Sequence, residues 1–306
     1  MNKKTFERIF RIALYAVLVL PILNAPPFFS PPHWGKTLVF RLIVSVILSL
    51  GVWRLLSETR GFSDLKSKIA GFFIEQRHNL PLLALSSFIF TFFLATLFSP
   101  DISFSLWGNP LRSGGFINIL FLVLFAILAF FQLRKHEWKR VWDISLLTGV
   151  LVSVVALLQW QGVFEGVLVS LERRPTSTLG SPITLALYLL LLAAVALPMM
   201  LGEKKLLKKA AYAACIALFL FVILITETRA VYLGLFLGAA YFTLFFPQRG
   251  KLVLFTKGLV ILSILSALTS IYFVNRPNGL PDFLSENRVV NVVSTRLNLH
   301  TFANEP

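Results

Sequence analysis

The sequence predicts an all-α, polytopic integral membrane protein, and two observations lead to that fold class. First, 57% of the 306 residues are hydrophobic and only 14% are charged, whereas a soluble protein has about 25% charged residues. Second, apolar runs recur along the whole chain, and about 20 such residues suffice for one transmembrane helix. A large soluble domain is therefore excluded from the predicted organisation.

Nine transmembrane helices are predicted, with the N-terminus in the cytoplasm. They cover residues 9–24, 37–56, 80–98, 113–133, 141–160, 182–201, 209–226, 229–247 and 252–274. Residues 1–274 thus form one transmembrane domain, and the polar residues 275–306 are predicted to begin a large extracytoplasmic loop. The first run follows a basic start but precedes no small-residue cleavage site, so it is interpreted as a retained helix and not a signal peptide.

The distribution of Lys and Arg gives the orientation. With the N-terminus inside, nineteen of the 29 basic residues fall on the cytoplasmic side, eight fall outside, and Arg41 and Lys257 lie within helices. This bias follows the positive-inside rule. The net charge of +15 is therefore explained by topology, and no basic–aromatic groove or recognition helix indicates nucleic acid. The single Cys215 excludes disulfides and cysteine-based metal sites, and no cofactor or metal is expected.

Three hairpins on the predicted outer side share one design. Each leads into a helix that starts at the outer surface, with Ser113, Ser181 and Thr228 as candidate N-cap residues. Each also has an arginine near that start, namely Arg112, Arg174 and Arg229, although a helix N-terminus attracts anions and repels cations. The hairpins are residues 99–115, 172–182 and 226–230. Three arginines at such starts would form a positive patch that suits phosphate or pyrophosphate.

A simpler interpretation of each arginine stays open. An outer arginine can reach lipid phosphates or pair with a nearby acid. Arg229 has Glu227 two residues before it, and Arg173 follows Glu172. The ion pair is preferred for Arg173, and the functional interpretation is preferred for the three arginines taken together.

The motifs in these hairpins resemble the O-antigen ligase and polymerase superfamily. The matching segments are Ser105-Leu106-Trp107-Gly108 with Arg112 and Gly115, then Arg174 with Ser177–Pro182, then Thr226–Ala230. The second motif of the family usually ends in Gly-Asn-Pro, and Ser181 replaces the Asn here. Its third motif is close to Thr-Gly-Ser-Arg-Gly, and Glu227 and Thr228 replace the Gly and the Ser. The order and spacing agree over nearly the whole chain.

The resemblance implies metal-independent transfer of a glycan at the outer face of the bacterial cytoplasmic (inner) membrane. The donor would be a glycan on undecaprenyl pyrophosphate, and the acceptor another glycan, lipid A-core or a protein side chain. Arg174 and Arg229 would be catalytic, because they would hold the pyrophosphate and stabilise its charge as it leaves. The residues assigned to substrate binding are Arg112, Arg173, Ser177, Thr178, Ser181, Thr226 and Thr228.

The resemblance also predicts a fragment or a truncated member. In the family a late extracytoplasmic loop supplies a histidine motif thought to act as base, and His300 does not match it. The base is therefore expected beyond Pro306. Two other classes of function stay open: a transporter or flippase for a lipid-linked or anionic substrate, and a membrane scaffold without a site. A transporter would need polar residues deep in its helices, and few are found.

Overall fold

The structure, a computed structural model, describes residues 3–24, 32–57, 59, 67, 79–109, 114–163, 174–245 and 250–274. Of these residues 86% are helical, and they include no strand. The α-helices are α1 (Lys3–Val19), α2 (Pro32–Ser57), α3 (Leu80–Leu97), α4 (Ile102–Trp107), α5 (Phe116–Gln132), α6 (Glu137–Trp160), α7 (Pro182–Gly202), α8 (Leu206–Ile225), α9 (Arg229–Phe245) and α10 (Lys251–Val274). Short 3₁₀ turns cover Leu20–Ile22 and Ser177–Leu179.

In the part of the chain that the structure describes, each of the nine predicted runs is mainly helical, and the short α4 is a helix that the sequence pattern did not predict. Within the described residues, five helices are long and apolar enough to cross a membrane: α2 from Gly35, α3, α6, α7 and α8. Three further apolar segments are shorter, namely Phe116–Gln132, Arg229–Phe245 and Val253–Ser266. The chain is thus an all-α membrane protein, and the number of nine crossings stays a prediction.

The chain divides into two compact units, Met1–Ser145 and Leu146–Pro306. In the first unit, α1 and α2 run antiparallel along their whole length. The Arg54 guanidinium lies 5.8 Å from the centre of the Phe6 ring at one end. At the other end, Lys36 Nζ donates a hydrogen bond of 2.9 Å to the Pro21 carbonyl. The start of α1 therefore lies beside the end of α2.

Helices α3 and α5 form a second antiparallel pair in the same unit. The Phe116 ring at the start of α5 lies 6.1 Å from Phe92 and 5.7 Å from Phe93, near the end of α3. A buried cluster joins α1, α2, α5 and the first turns of α6; it consists of Phe6, Phe10, Leu14, Ile47, Ala129, Leu133 and Val141. Arg11, Arg54 and Arg134 thus share one end of the unit. Such segregation of charge is what the positive-inside rule leads one to expect.

The second unit is centred on the α7–α8 hairpin, which packs against the second half of α6. Its core contains Leu185, Leu189, Phe219 and Ile223, all fully buried. At Gly149 of α6, an added Cβ would meet the Leu192 side chain and the Phe219 ring. The absent side chain therefore lets α6 approach both helices closely, as small residues do in membrane helix pairs.

Candidate functional site

The loop of the second motif is built around a buried, tightly turned segment. Thr176–Leu179 are buried, and a 3₁₀ turn covers Ser177–Leu179. Gly180 ends this turn in the left-handed region at φ 73°, which glycine adopts without steric cost. Ser177 also has a positive φ of 52°, which costs a residue with a Cβ about 1–2 kcal/mol. Specific bonds must therefore hold Ser177 in place.

Gln159, in the last turn of α6, supplies two of those bonds. Its Oε1 accepts hydrogen bonds from the backbone N–H groups of Thr176 (2.9 Å) and Ser177 (2.7 Å). Its Nε2 donates to Thr176 Oγ1 over 3.2 Å. The Ser177 hydroxyl in turn donates to the Val152 carbonyl, 2.7 Å away and two turns earlier in α6. The loop is thus fixed to α6 by a buried polar network, in which each pair is stronger than it would be in water.

The third motif forms the tight connection between α8 and α9. Its central residue Glu227 takes the left-handed conformation at φ 54°. The Thr226 side chain is fully buried, and its hydroxyl donates to the Ile223 carbonyl over 2.7 Å. The Tyr232 hydroxyl reaches back from α9 to the Leu224 carbonyl over 2.7 Å. The same two carbonyls also accept from the backbone N–H groups of Thr226 and Glu227, so the two hydroxyls add bonds at a helix end where carbonyls lack intrahelical partners.

One hydrogen bond brings the two motifs together. Arg174 Nε donates to the Thr226 carbonyl over 2.9 Å, across 52 positions of sequence. Arg229 is the first residue of α9, three residues after Thr226. Arg174 therefore contacts the hairpin in which Arg229 begins α9. The bond uses Nε of Arg174, so the guanidinium is held beside that carbonyl and its remaining N–H donors are not used by this bond.

Ser181 and Thr228 directly precede α7 and α9, as predicted, whereas the N-cap residue of α5 is Gly115, so the prediction of Ser113 as that cap is wrong. Ser181 is the residue before α7 and makes no side-chain capping bond. The Thr228 hydroxyl, before α9, donates to the Thr226 carbonyl over 3.3 Å. A capping hydroxyl would instead accept from an N–H group of the first helical turn. The prediction of side-chain capping is wrong for Ser181, and for Thr228 the described bond runs to a carbonyl.

The predicted substrate-binding hydroxyls have structural contacts. Ser177, Thr178, Thr226 and Thr228 are all buried. The hydroxyls of Ser177, Thr226 and Thr228 donate to backbone carbonyls. These side chains shape the two loops, and a contact between any of them and a substrate stays a prediction. Arg112, Arg173 and residues 275–306 lie outside the described residues, so their predicted roles also stay predictions.

The first motif, in the other unit, has a narrow neck made of glycine backbone. Asp101 caps α4 by accepting from the Phe104 N–H over 2.8 Å, which gives this acid a local structural role. Gly108 (φ 75°) and Gly115 touch backbone to backbone, and a Cβ on either one would collide with the other. Beside this neck an open cleft of about 350 Å³ is lined by Thr96, Ser105 and neighbouring residues. The described residues on the two sides of positions 110–113 therefore meet at this neck.

Gln159 is the residue of this site that sequence reasoning missed. A weak signal was available, because Gln159 is a polar residue in the last turn of α6, whose second half is largely apolar. Its partners are backbone N–H groups 17 and 18 positions later, and no motif indicates such a pairing.

Among the described residues, no group of three His, Cys, Asp or Glu side chains could hold a metal ion. Comparisons with protein-family models, curated proteins and solved structures found no match.

Proposed function

We propose that the protein transfers a glycan from an undecaprenyl-pyrophosphate-linked donor to an acceptor at the outer face of the bacterial cytoplasmic membrane. The acceptor would be another glycan, lipid A-core or a protein side chain. The observation that carries this proposal is the 2.9 Å bond from Arg174 Nε to the Thr226 carbonyl. It joins the second and third motifs of the superfamily that the sequence resembles, so that both motif arginines can act on one anion.

The chemistry of Arg174 and Arg229 suits a pyrophosphate. A guanidinium binds phosphate oxygens through two parallel N–H donors. The start of α9 lies at Arg229 and the start of α7 at Pro182, and helix starts attract anions through their N–H groups and dipole. As the bond between glycan and pyrophosphate breaks, negative charge grows on the leaving oxygen. Fixed cations stabilise that charge most when they are already held in place.

The conformation of Glu227 also supports the resemblance. The superfamily usually has glycine at this position of its third motif, and here the backbone is left-handed at φ 54°. Glycine is the residue that adopts this conformation most readily. The hairpin therefore has the backbone geometry that the motif of the family calls for, although the residue differs.

The proposed topology has nine crossings with the N-terminus in the cytoplasm. It is supported by the segregation of Arg11, Arg54 and Arg134 to one end of the first unit, away from Lys36. The positive-inside rule assigns the arginine-rich end to the cytoplasm. With alternating helices, the connections before α7 and before α9 then lie outside, where a lipid-linked donor would present its glycan.

Binding of the donor lipid tests the proposal without requiring a base. We expect purified protein in micelles to bind undecaprenyl pyrophosphate, and Arg174→Gln or Arg229→Gln to weaken that binding about 10- to 100-fold. That range corresponds to about 1.5–3 kcal/mol for one hydrogen bond to a charged group. Undecaprenol, which has no phosphate, should bind the variants and the wild type equally.

Two further measurements separate the alternatives. Lys208→Gln removes an exposed charge at the start of α8 and should leave binding of the pyrophosphate unchanged. Equal affinity of wild type, Arg174→Gln and Arg229→Gln would refute the proposal. In vesicles with labelled donor, movement of the donor across the bilayer without a new glycosidic bond would instead identify a flippase.

A further inference from the structure

A second charged cluster lies at the arginine-rich end of the first unit, in the part of the chain before Ser145. It combines α1 with the α5–α6 connection, and we call it the basic corner: Arg8, Arg11, Arg134, Lys135 and Arg140. We propose that the basic corner binds the headgroup of an anionic phospholipid. The proposal is independent of the proposed glycan transfer, because it concerns other residues and another ligand.

Two acidic residues beside the basic corner, Glu7 and Glu137, form ion pairs or hydrogen bonds with two of its arginines. Glu137 is buried; its Oε1 accepts from Arg11 Nε over 2.9 Å, and its Oε2 accepts from the Arg134 backbone N–H over 2.8 Å. Glu7 Oε2 lies 3.9 Å from Nη2 of Arg11 and 3.9 Å from Nη2 of Arg134. The two guanidinium groups are therefore no farther apart than twice that distance. One phosphodiester can reach both.

The outer layer of the basic corner has an excess of positive charge. The Arg134 side chain is 65% exposed and that of Arg11 is 39% exposed. Arg8, Lys135 and Arg140 are exposed as well. After Glu137, the next acid in α6 is Asp143, which is four positions after Lys139 and three after Arg140 and so within reach of both. Arg8, Arg134 and Lys135 still exceed the acids beside them. The excess favours an anionic headgroup over a zwitterionic one, because the ammonium group of the latter would be repelled.

The neighbouring surface suits acyl chains. Ile12 is exposed on α1, directly after Arg11 and one turn beyond Arg8, and Phe130 and Phe131 are exposed near the end of α5. The rings of Trp138 and Trp142 lie 6.3 Å apart in the first turns of α6, and tryptophan favours the depth of the lipid headgroups. A cationic corner beside an apolar wall matches a phospholipid, whereas a free phosphate would use only the cations.

Titration of dioleoyl phosphatidylglycerol into the detergent-solubilised full chain, followed by native mass spectrometry, tests the proposal. One cation near an anionic lipid surface contributes about five-fold in affinity. We therefore expect the triple variant Arg8→Gln/Arg134→Gln/Lys135→Gln to bind this lipid about a hundred-fold more weakly than wild type. Phosphatidylcholine should bind both proteins equally, and added salt should weaken the binding of phosphatidylglycerol to the wild type.

A matched triple variant in the second unit provides the control. The variant Lys204→Gln/Lys205→Gln/Lys208→Gln removes three exposed cations, two just before α8 and one in its first turn. It should keep the wild-type affinity. Equal weakening in both triple variants would overturn the proposal, because it would mean general attraction between the chain and anionic lipids. Should the first triple variant fail to fold, Arg8→Gln alone should weaken binding about five-fold. Unchanged affinity in that variant would also overturn the proposal.

Discussion

Gln159→Met offers the sharpest test of how the proposed site is held. The substitution keeps the size of the side chain but removes the oxygen that accepts from the Thr176 and Ser177 N–H groups. A buried donor left without an acceptor costs about 1–3 kcal/mol. Two such donors predict a loss of about 2–5 kcal/mol in the free energy of unfolding, because the apolar methionine recovers part of the cost by packing.

Equilibrium unfolding in mixed micelles measures that loss, and Gln161→Met is the matched control. Gln161 is exposed in the turn that follows α6, so its replacement should change stability by less than about 0.5 kcal/mol. Hydrogen exchange gives a local readout: the amides of Thr176 and Ser177 should exchange slowly in the wild type and in Gln161→Met. Both should exchange much faster in Gln159→Met. If Gln159→Met matches its control in stability and in these two amides, the assignment of Gln159 as the anchor of the loop is wrong.

Two further predictions concern backbone conformation. Gly115→Ala should lower the free energy of unfolding by more than about 1 kcal/mol, because the new Cβ would meet the backbone of Gly108 and Trp107. A Cβ on Gly114 would have nothing within 4 Å, so Gly114→Ala is the control. Thermal unfolding of Gly115→Ala beside Gly114→Ala checks this, and equal midpoints would contradict it. Glu227→Gly should stabilise the protein by about 1 kcal/mol by relieving a left-handed conformation, measured by unfolding in micelles; a loss of stability would show that the Glu227 side chain matters more than its backbone strain.

The fold class could be predicted from the sequence because it depends on composition and on the length of apolar runs. The same signal located the nine longer helices, with the largest errors at the two ends of α1 (Lys3–Val19 against the predicted 9–24) and at the start of α2. It failed for α4, since six residues capped by Asp101 give no periodic pattern, and such a short helix depends on its cap. The number of crossings is harder to predict, because helices such as Phe116–Gln132 are slightly shorter than a typical span.

The candidate site could be predicted only in part. Sequence reasoning selected Arg174 and Arg229 from their chemistry and from the family motifs, and the structure shows that Arg174 contacts the hairpin that carries Arg229. It could not anticipate that contact, because the acceptor is a backbone carbonyl and every residue has one. Ser177 and Thr226 looked like ligand-binding hydroxyls, whereas their observed partners are the carbonyls of Val152 and Ile223. A hydroxyl has the same sequence signature in either role.

The bond between Arg174 and Thr226 also sets an order of events during synthesis. Its acceptor lies 52 residues after its donor, so at about 5–20 residues per second the ribosome needs roughly 3–10 s to make the intervening chain. Gln159 precedes the loop and is already present when Thr176 and Ser177 emerge. The loop can therefore dock on α6 first, and Arg174 acquires its partner only after the α7–α8 hairpin has entered the bilayer. A ribosome stalled after the second motif but before Thr226 would leave a chain in which that motif can dock on α6 while Arg174 still lacks the Thr226 carbonyl.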